Sequence, residues 1–303
     1  MMDYIMELDG LTKSFKKKKA VDNFSLKVEK GHICGLIGPN GAGKTTIMRM
    51  MAALTEPDSG DMKFFGSTDL DVARKRMSFI IEEPYMERSM TAHENMQYLR
   101  YVRGVADESR IDSLLEFVGL EDVGKKKVDQ FSLGMRQRLG IAMSLISKPE
   151  IMVLDEPING LDPEGIIDIR KMLLKLSQEE KISILISSHI LKELSELCTD
   201  YAIVNHGQLI EKLSHKELLE KTKTFIDLRT NDIGRTCTVL EDSLGIREYK
   251  VNHDNEIMIF ERLEEIEHIS STVTSNGLII TKLTVEGESL EDYYIGKVGD
   301  QNE

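Results

Sequence analysis

Along roughly the first 218 residues, short unbroken apolar runs alternate with stretches whose apolar positions recur every three or four residues. His32–Ile37, Met77–Ile81, Ile151–Leu154, Ile182–Ser187 and Tyr201–Asn205 are the short runs, rich in β-branched side chains. Strands covered on both faces need such continuity, so these runs predict the largely parallel sheet of an α/β domain. Between Thr91 and Lys148 the strand signals stop. Ala92–Arg103, Glu108–Phe117 and Met135–Ile146 carry helical periodicity instead, which predicts a helical subdomain inserted at about residues 84–150.

From about Thr222 the texture changes. Thr224–Arg229 reads as a strand and Ile233–Leu244 as a helix. Glu248–Asn252 and Glu256–Glu261 read as a hairpin turning at His253-Asp254-Asn255, Leu263–Thr272 as a helix and Leu278–Val285 as a strand. Strand-helix-strand-strand-helix-strand is the order of the split βαβ, ferredoxin-like motif. The expected organisation is therefore an α/β domain over residues 1–218 and a small α+β accessory domain over 219–303.

Composition narrows the function. The chain has 303 residues, 41% hydrophobic and 30% charged, enough to bury a sizeable core. Its 39 basic and 52 acidic side chains give a net charge of −13, which argues against broad binding to nucleic-acid phosphates. Residues 219–303 hold 9 basic and 18 acidic side chains, net −9, so most of the imbalance belongs to the tail, as a solvated acidic surface. The longest run without Asp, Glu, Lys or Arg is the 14 residues His268–Thr281, half of them polar. A membrane-spanning helix needs about 20 mostly apolar residues, so no transmembrane segment is expected. The start, Met1-Met2-Asp3-Tyr4, lacks the basic and apolar regions of a secretory signal. Cys34, Cys198 and Cys237 are odd in number and far apart, as expected of reduced, buried thiols in the cytoplasm. Lys16–Lys19 reads as a solvated turn, and Met86, Met90 and Met96 as core.

Three stretches carry chemistry. Gly38-Pro39-Asn40-Gly41-Ala42-Gly43-Lys44-Thr45 fits G-x-x-x-x-G-K-[ST] in full, between the apolar run His32–Ile37 and a helical stretch from Thr46 to Leu54. Glycines let the backbone N–H groups curl round a β-phosphate, Lys44 reaches the β/γ oxygens and the Thr45 hydroxyl ligates Mg²⁺. A nucleoside triphosphate with Mg²⁺ is the expected ligand. Ile151-Met152-Val153-Leu154-Asp155-Glu156-Pro157 ends a buried strand in two carboxylates. Asp155 at the sheet edge can hold Mg²⁺, and Glu156 can polarise the attacking water. In Phe131-Ser132-Leu133-Gly134-Met135, a serine and a glycine open a helix whose free N–H groups make an anion site.

Phosphate loop, Ser-x-Gly helix start, apolar-Asp-Glu strand and a late histidine stand here in the order found in ABC-transporter ATPase domains, and residues 1 to about 218 resemble one complete domain of that family. Ser132-Leu133-Gly134-Met135 resembles the signature L-S-G-G-Q, with Leu133 and Met135 replacing a glycine and the glutamine. The resemblance implies that Asp162, in Asn159-Gly160-Leu161-Asp162, lies at a dimer contact. It implies that His189 touches the γ-phosphate and that Phe15 stacks on adenine. The family's usual metal-contacting glutamine is replaced by Glu82, in Ile81-Glu82-Glu83-Pro84, a harder and charged oxygen ligand for Mg²⁺. It also implies that Met86, Met90 and Met96 could instead line the groove that receives a helix of the membrane subunit.

The Glu-Glu-Pro loop, the Phe-Ser-Leu-Gly-Met signature, the chain length and the ending Ser289-Leu290-Glu291-Asp292-Tyr293-Tyr294 resemble the subgroup serving bacitracin- and lantibiotic-type resistance exporters. The implied function is ATP hydrolysis that powers a separate transmembrane permease, from the inner face of the cell membrane. In the family two such subunits close head to tail, with ATP between Lys44, Thr45, Asp155, Glu156 and His189 of one and Ser132 and Gly134 of the other. Two other readings are a soluble ABC-type ATPase acting on nucleic acid or the ribosome, and a slow regulatory ATP sensor. The single phosphate loop and the net charge weigh against the first, and the intact Glu156 against the second.

Overall fold

The computed structural model describes residues 4–189, 194–221, 224–252, 256–287, 293–294 and 297. The chain forms two compact units, residues 1–215 and 216–303.

The first unit is built on two sheets. One has six strands in the order β5 (Met77–Ile80), β6 (Ile151–Asp155), β7 (Ser183–Ser188), β3 (Ile33–Ile37), β8 (Asp200–Asn205) and β9 (Gln208–Ser214). All neighbouring pairs are parallel except β8 and the edge strand β9. Every residue of β3, β6, β7 and β8 is buried, which is why these strands read as unbroken apolar runs. The other sheet is antiparallel, in the order β2 (Lys18–Glu29), β1 (Tyr4–Phe15) and β4 (Ser59–Phe64). These three strands and β9 were not among the expected elements. The main core lies between the two sheets: Leu8, Leu11, Phe24 and Leu26 pack with Leu36, Val153 and Leu185, and Ile47, Met48 and Met51 of α1 (Lys44–Met51) fill the middle.

After α2 (Leu70–Arg74) and β5, the chain forms α3 (Ala92–Val102), α4 (Arg110–Phe117) and α5 (Leu133–Leu145). These three pack against one another. A reciprocal capping box starts α3: Thr91 N donates to Glu94 Oε2 at 2.7 Å, and Glu94 N to Thr91 Oγ1 at 3.2 Å. Met86 and Met96 are buried and Met90 is half-buried. The long helix α6 (Pro163–Gln178) follows β6, with Pro163 at its first turn, where a missing N–H costs nothing.

The second unit begins within α7 (His215–Lys221) and continues as β10 (Phe225–Thr230), α8 (Ile233–Asp242), β11 (Tyr249–Val251), β12 (Ile257–Ile259), α9 (Ile266–Ser275) and β13 (Ile280–Glu286). Its strands are all antiparallel in the order β11-β12-β10-β13. Ile226, Leu228, Leu240, Ile257, Ile259, Ile269 and Val273 form a core of its own. The expected turn at His253-Asp254-Asn255 and Ser289–Asp292 of the terminal motif lie outside the described residues.

Candidate functional site

The loop Gly38–Thr45 leaves the C-terminal end of β3 and runs straight into α1. Its shape depends on two glycines. A side chain at Gly38 would put its Cβ 2.3 Å from Val204 O, and one at Gly43, whose φ is 106°, would put it 2.4 Å from Ala20 O. Both contacts are with backbone that cannot yield, so only hydrogen fits. The loop is clasped by neighbouring backbone, with Gly207 N donating to Ala42 O at 2.8 Å.

Lys44 is 5% exposed, and its ammonium donates to Gly38 O at 2.6 Å and Pro39 O at 3.3 Å. It stands 3.4 Å from Glu156 Oε1. Desolvating a cation is costly unless such oxygens surround it, so the lysine is held inside the loop's curl.

β6 and β7 deliver the acidic groups. Asp155, 4% exposed, ends β6 beside Ser187 of β7. The Ser187 hydroxyl donates to Asp155 Oδ1 at 2.6 Å and accepts from Glu156 N at 2.9 Å, so one serine fixes both carboxylate residues. Glu156 has φ 50°, a left-handed backbone that turns it out of the strand line. Its Oε2 accepts from His189 Nδ1–H at 2.6 Å while Oε1 faces Lys44. A carboxylate on Nδ1 sets the tautomer and leaves Nε2 available to another partner.

Phe15, Lys18, Ala20, Asn40–Thr46, Glu156, Asn159 and His189 line one cavity of about 460 Å³, within the range of small-molecule sites. Phe15 is at its rim, 51% exposed. A separate hollow of about 490 Å³ is lined by Ser132, Leu133, Gly134, Gly160, Leu161 and Asp162 among others. Here two helix starts meet. Ser132 Oγ accepts from Met135 N at 3.2 Å, and Asp162 Oδ1 accepts from Gly165 N at 3.0 Å. Of the expected site residues, Phe15, Asn40–Thr46, Glu156 and His189 thus share one cavity, and Ser132, Gly134 and Asp162 share another. Glu82 lines neither. It follows β5 with φ 65°, its side chain is 63% exposed, and Arg49 Nη1 of α1 stands 3.4 Å away.

Sequence reasoning passed over Ser187, Asn159 and Lys18. Ser187 was visible in Ser187-Ser188-His189, but its bridging role depends on pairing with a strand 32 residues away.

The model of the family described as "ABC transporter" matches residues 21–159. The chain is 36% identical over 301 residues to the bacitracin transport ATP-binding protein of Bacillus licheniformis, covering 98% of each chain. It is 41% identical over 206 residues to a lantibiotic transport ATP-binding protein of Streptococcus pyogenes, covering 68% of this chain and 89% of that one. In fold it is similar to an ATP-binding cassette solved as a dimer in a post-hydrolysis state with ADP and phosphate. That match has a TM-score of 0.63 and 22% identity, and covers 69% of this chain and 98% of the other.

Proposed function

We infer the function from the premise that this chain belongs to the ABC transporter ATP-binding family. It is the ATP-hydrolysing subunit that powers a separate membrane permease, and the cargo class is a peptide antibiotic exported from the cell. Relatives named for bacitracin and lantibiotic transport, one of them aligned over nearly the whole chain, favour this over a soluble ATPase of nucleic acid or the ribosome. The observation that carries the chemistry is the linked set Lys44, Glu156 and His189, joined at 3.4 and 2.6 Å on the wall of the phosphate-loop cavity.

In this reading the backbone N–H groups of the loop cradle the β-phosphate, and Lys44 exchanges its carbonyl contacts for β/γ oxygens. Phe15 stacks on adenine from the rim. Hard oxygens fit a magnesium ion here: the Thr45 hydroxyl lines the cavity, and Asp155 keeps one carboxylate oxygen clear of Ser187. When bound, the ion neutralises charge on the phosphates. Glu82 adds a third oxygen if it swings from Arg49. Glu156 takes the proton of the attacking water, and His189, held by that same carboxylate through Nδ1, presents Nε2 to the γ-phosphate.

Ser132, Gly134 and Asp162 lie in a hollow of their own, which supports a head-to-tail partner subunit as the source of the second half of each ATP site. Residues 1–218 act as the nucleotide-binding domain, with a helical subdomain at about 84–150; the mutual packing of α3, α4 and α5 supports the latter. Residues 219–303 form a ferredoxin-like accessory domain, which the antiparallel order β11-β12-β10-β13 supports. In this reading the permease holds the subunit at the inner membrane face; no helix among the described residues is long and apolar enough to cross a membrane.

Replacing Glu156 by Gln keeps the shape but removes the proton acceptor. Hydrolysis should fall by about 10²–10⁴-fold while Mg·ATP binding persists, and an ATP-dependent dimer should appear on size exclusion. A variant that hydrolyses at the wild-type rate would take the general-base role away from Glu156.

A further inference from the structure

Phe15 closes β1 opposite Lys18, at the end of the hairpin and the rim of the cavity. A phenyl ring half exposed on a hairpin tip has freedom to rotate, and a stacking platform must not. The strand supplies a brace. Two residues before Phe15, Lys13 holds its ammonium 5.8 Å from the ring centroid. That lysine is itself held: its side chain is 17% exposed and its Nζ lies 2.8 Å from Asp58 Oδ1. Asp58 Oδ2 accepts from Ser14 N at 2.7 Å, and Asp58 N donates to Thr12 O at 2.8 Å. One aspartate at the foot of β4 therefore clamps residues 12–14 through both its backbone and its carboxylate. The bonds from Lys13 and Ser14 keep that carboxyl below the usual carboxylate range, so the clamp persists through physiological pH.

We propose that Lys13 and Asp58 are positioning residues for nucleotide binding: Asp58 fixes the Lys13 ammonium over Phe15, and that cation fixes the ring so that its other side receives the base. The proposal rests on the reading of Phe15 as the adenine platform. A cation within about 6 Å of a ring centroid is worth roughly a two- to fivefold change in an equilibrium constant at an exposed site. Lys13 and Asp58 line no part of the cavity wall, so their effect belongs to the base and not to the phosphates.

The test uses the full chain and two probes, ATP and inorganic tripolyphosphate, the second lacking a base. Lys13→Met and Asp58→Asn should each raise the KM for ATP about two- to fivefold. Turnover at saturating ATP should stay within about twofold, tripolyphosphate should inhibit as in the wild type, and Lys13→Arg should restore the KM. Phe15→Ala should raise the KM at least as much, and adding Lys13→Met to it should change nothing more. An unchanged ATP KM in Lys13→Met beside a raised one in Phe15→Ala overturns the brace and leaves the platform standing. An unchanged KM in Phe15→Ala overturns both. Equal losses for ATP and tripolyphosphate in Lys13→Met would mean that the lysine supports the phosphate loop instead, and would also overturn the proposal.

Discussion

The resemblance sets Glu82 where the family has a neutral amide, so in this reading it brings a charge there, and Arg49 stands 3.4 Å from it on the helix that the phosphate loop opens. The pair is well exposed, so its own strength is modest, about 0–1 kcal/mol. In the proposed reading Glu82→Gln removes one negative charge near the triphosphate and frees Arg49; both changes favour ATP, while Lys44, Thr45 and Asp155 still hold phosphate and metal. The variant should bind Mg·ATP as tightly as the wild type or up to about fivefold tighter, and Glu82→Ala should lose hydrolysis. Titration of ATP at fixed Mg²⁺ checks both; clearly weaker binding by the Gln variant would make the carboxylate a required metal ligand. The thiols give a second prediction. Burial pushes Cys34 up to about 12 and raises Cys198 as well, while Cys237 is only half-buried. Native protein at pH 8 should therefore be alkylated at Cys237 first, with Cys34 and Cys198 reacting only on unfolding. The sign of the linked stability follows. Above about pH 8.5 the unfolded chain loses thiol protons that the folded chain keeps, so stability falls as pH rises from there towards 12. Among the site residues, the phosphate loop was legible because its spacing is local and covalent. Ser187 was not, because its two bonds exist only once β6 lies beside β7.

The helical block shows how elements are tied to the loops that serve them. Asn95 of α3 is 2% exposed. Its Oδ1 accepts from Glu87 N at 2.7 Å, and its Nδ2 donates to Glu87 O at 3.0 Å and Thr91 O at 2.9 Å. It fastens the segment that follows Glu82 to the first turn of α3. Thr91, one turn earlier, caps that helix on the surface. Asn95→Ala takes the side-chain partner from Glu87 N, while Glu87 O and Thr91 O keep their bonds from Met90 N and Asn95 N, and should cost about 2 kcal/mol in urea unfolding. Thr91→Ala should cost about 1 kcal/mol, because water can replace the lost cap. The reverse ranking would show that the loop is held by something other than Asn95. The strands divide by the same kind of physics. Those of the parallel sheet were legible because both faces are covered. β1 was hard to read because bulges interrupt its alternation: Ile5 and Met6 are buried in succession, and the register slips between Leu8 and Leu11. β2 does alternate, from buried Phe24 through Leu26 to Val28, so that strand was legible and was missed. β4 opens with Ser59-Gly60-Asp61, poor strand formers, and Gly60 is there because a Cβ would meet Gly10 at 2.5 Å.

At the scale of the molecule, the element order of the tail was readable from its pattern, and the motif that this order names carries the sheet order β11-β12-β10-β13 with it. The boundary expected at residue 218 falls inside α7, and the compact units part at 215/216. In the first unit Phe15, Asn40–Thr46, Glu156 and His189 line one hollow and Ser132, Gly134 and Asp162 another; in the proposed reading each is half of an ATP site. Two copies then complete each other. Mixing tests this most directly. One variant, Lys44→Ala, loses the phosphate loop, and another, Ser132→Arg with Gly134→Asp, loses the opposite surface; each alone should be inactive. In a mixed dimer one site carries both lesions and the other carries none. An equal mixture should then regain hydrolysis, to about a quarter of the wild-type rate if half the dimers are mixed and one of their two sites works. A mixture as inactive as its parents, with mixed dimers confirmed by differently tagged subunits, would contradict the account.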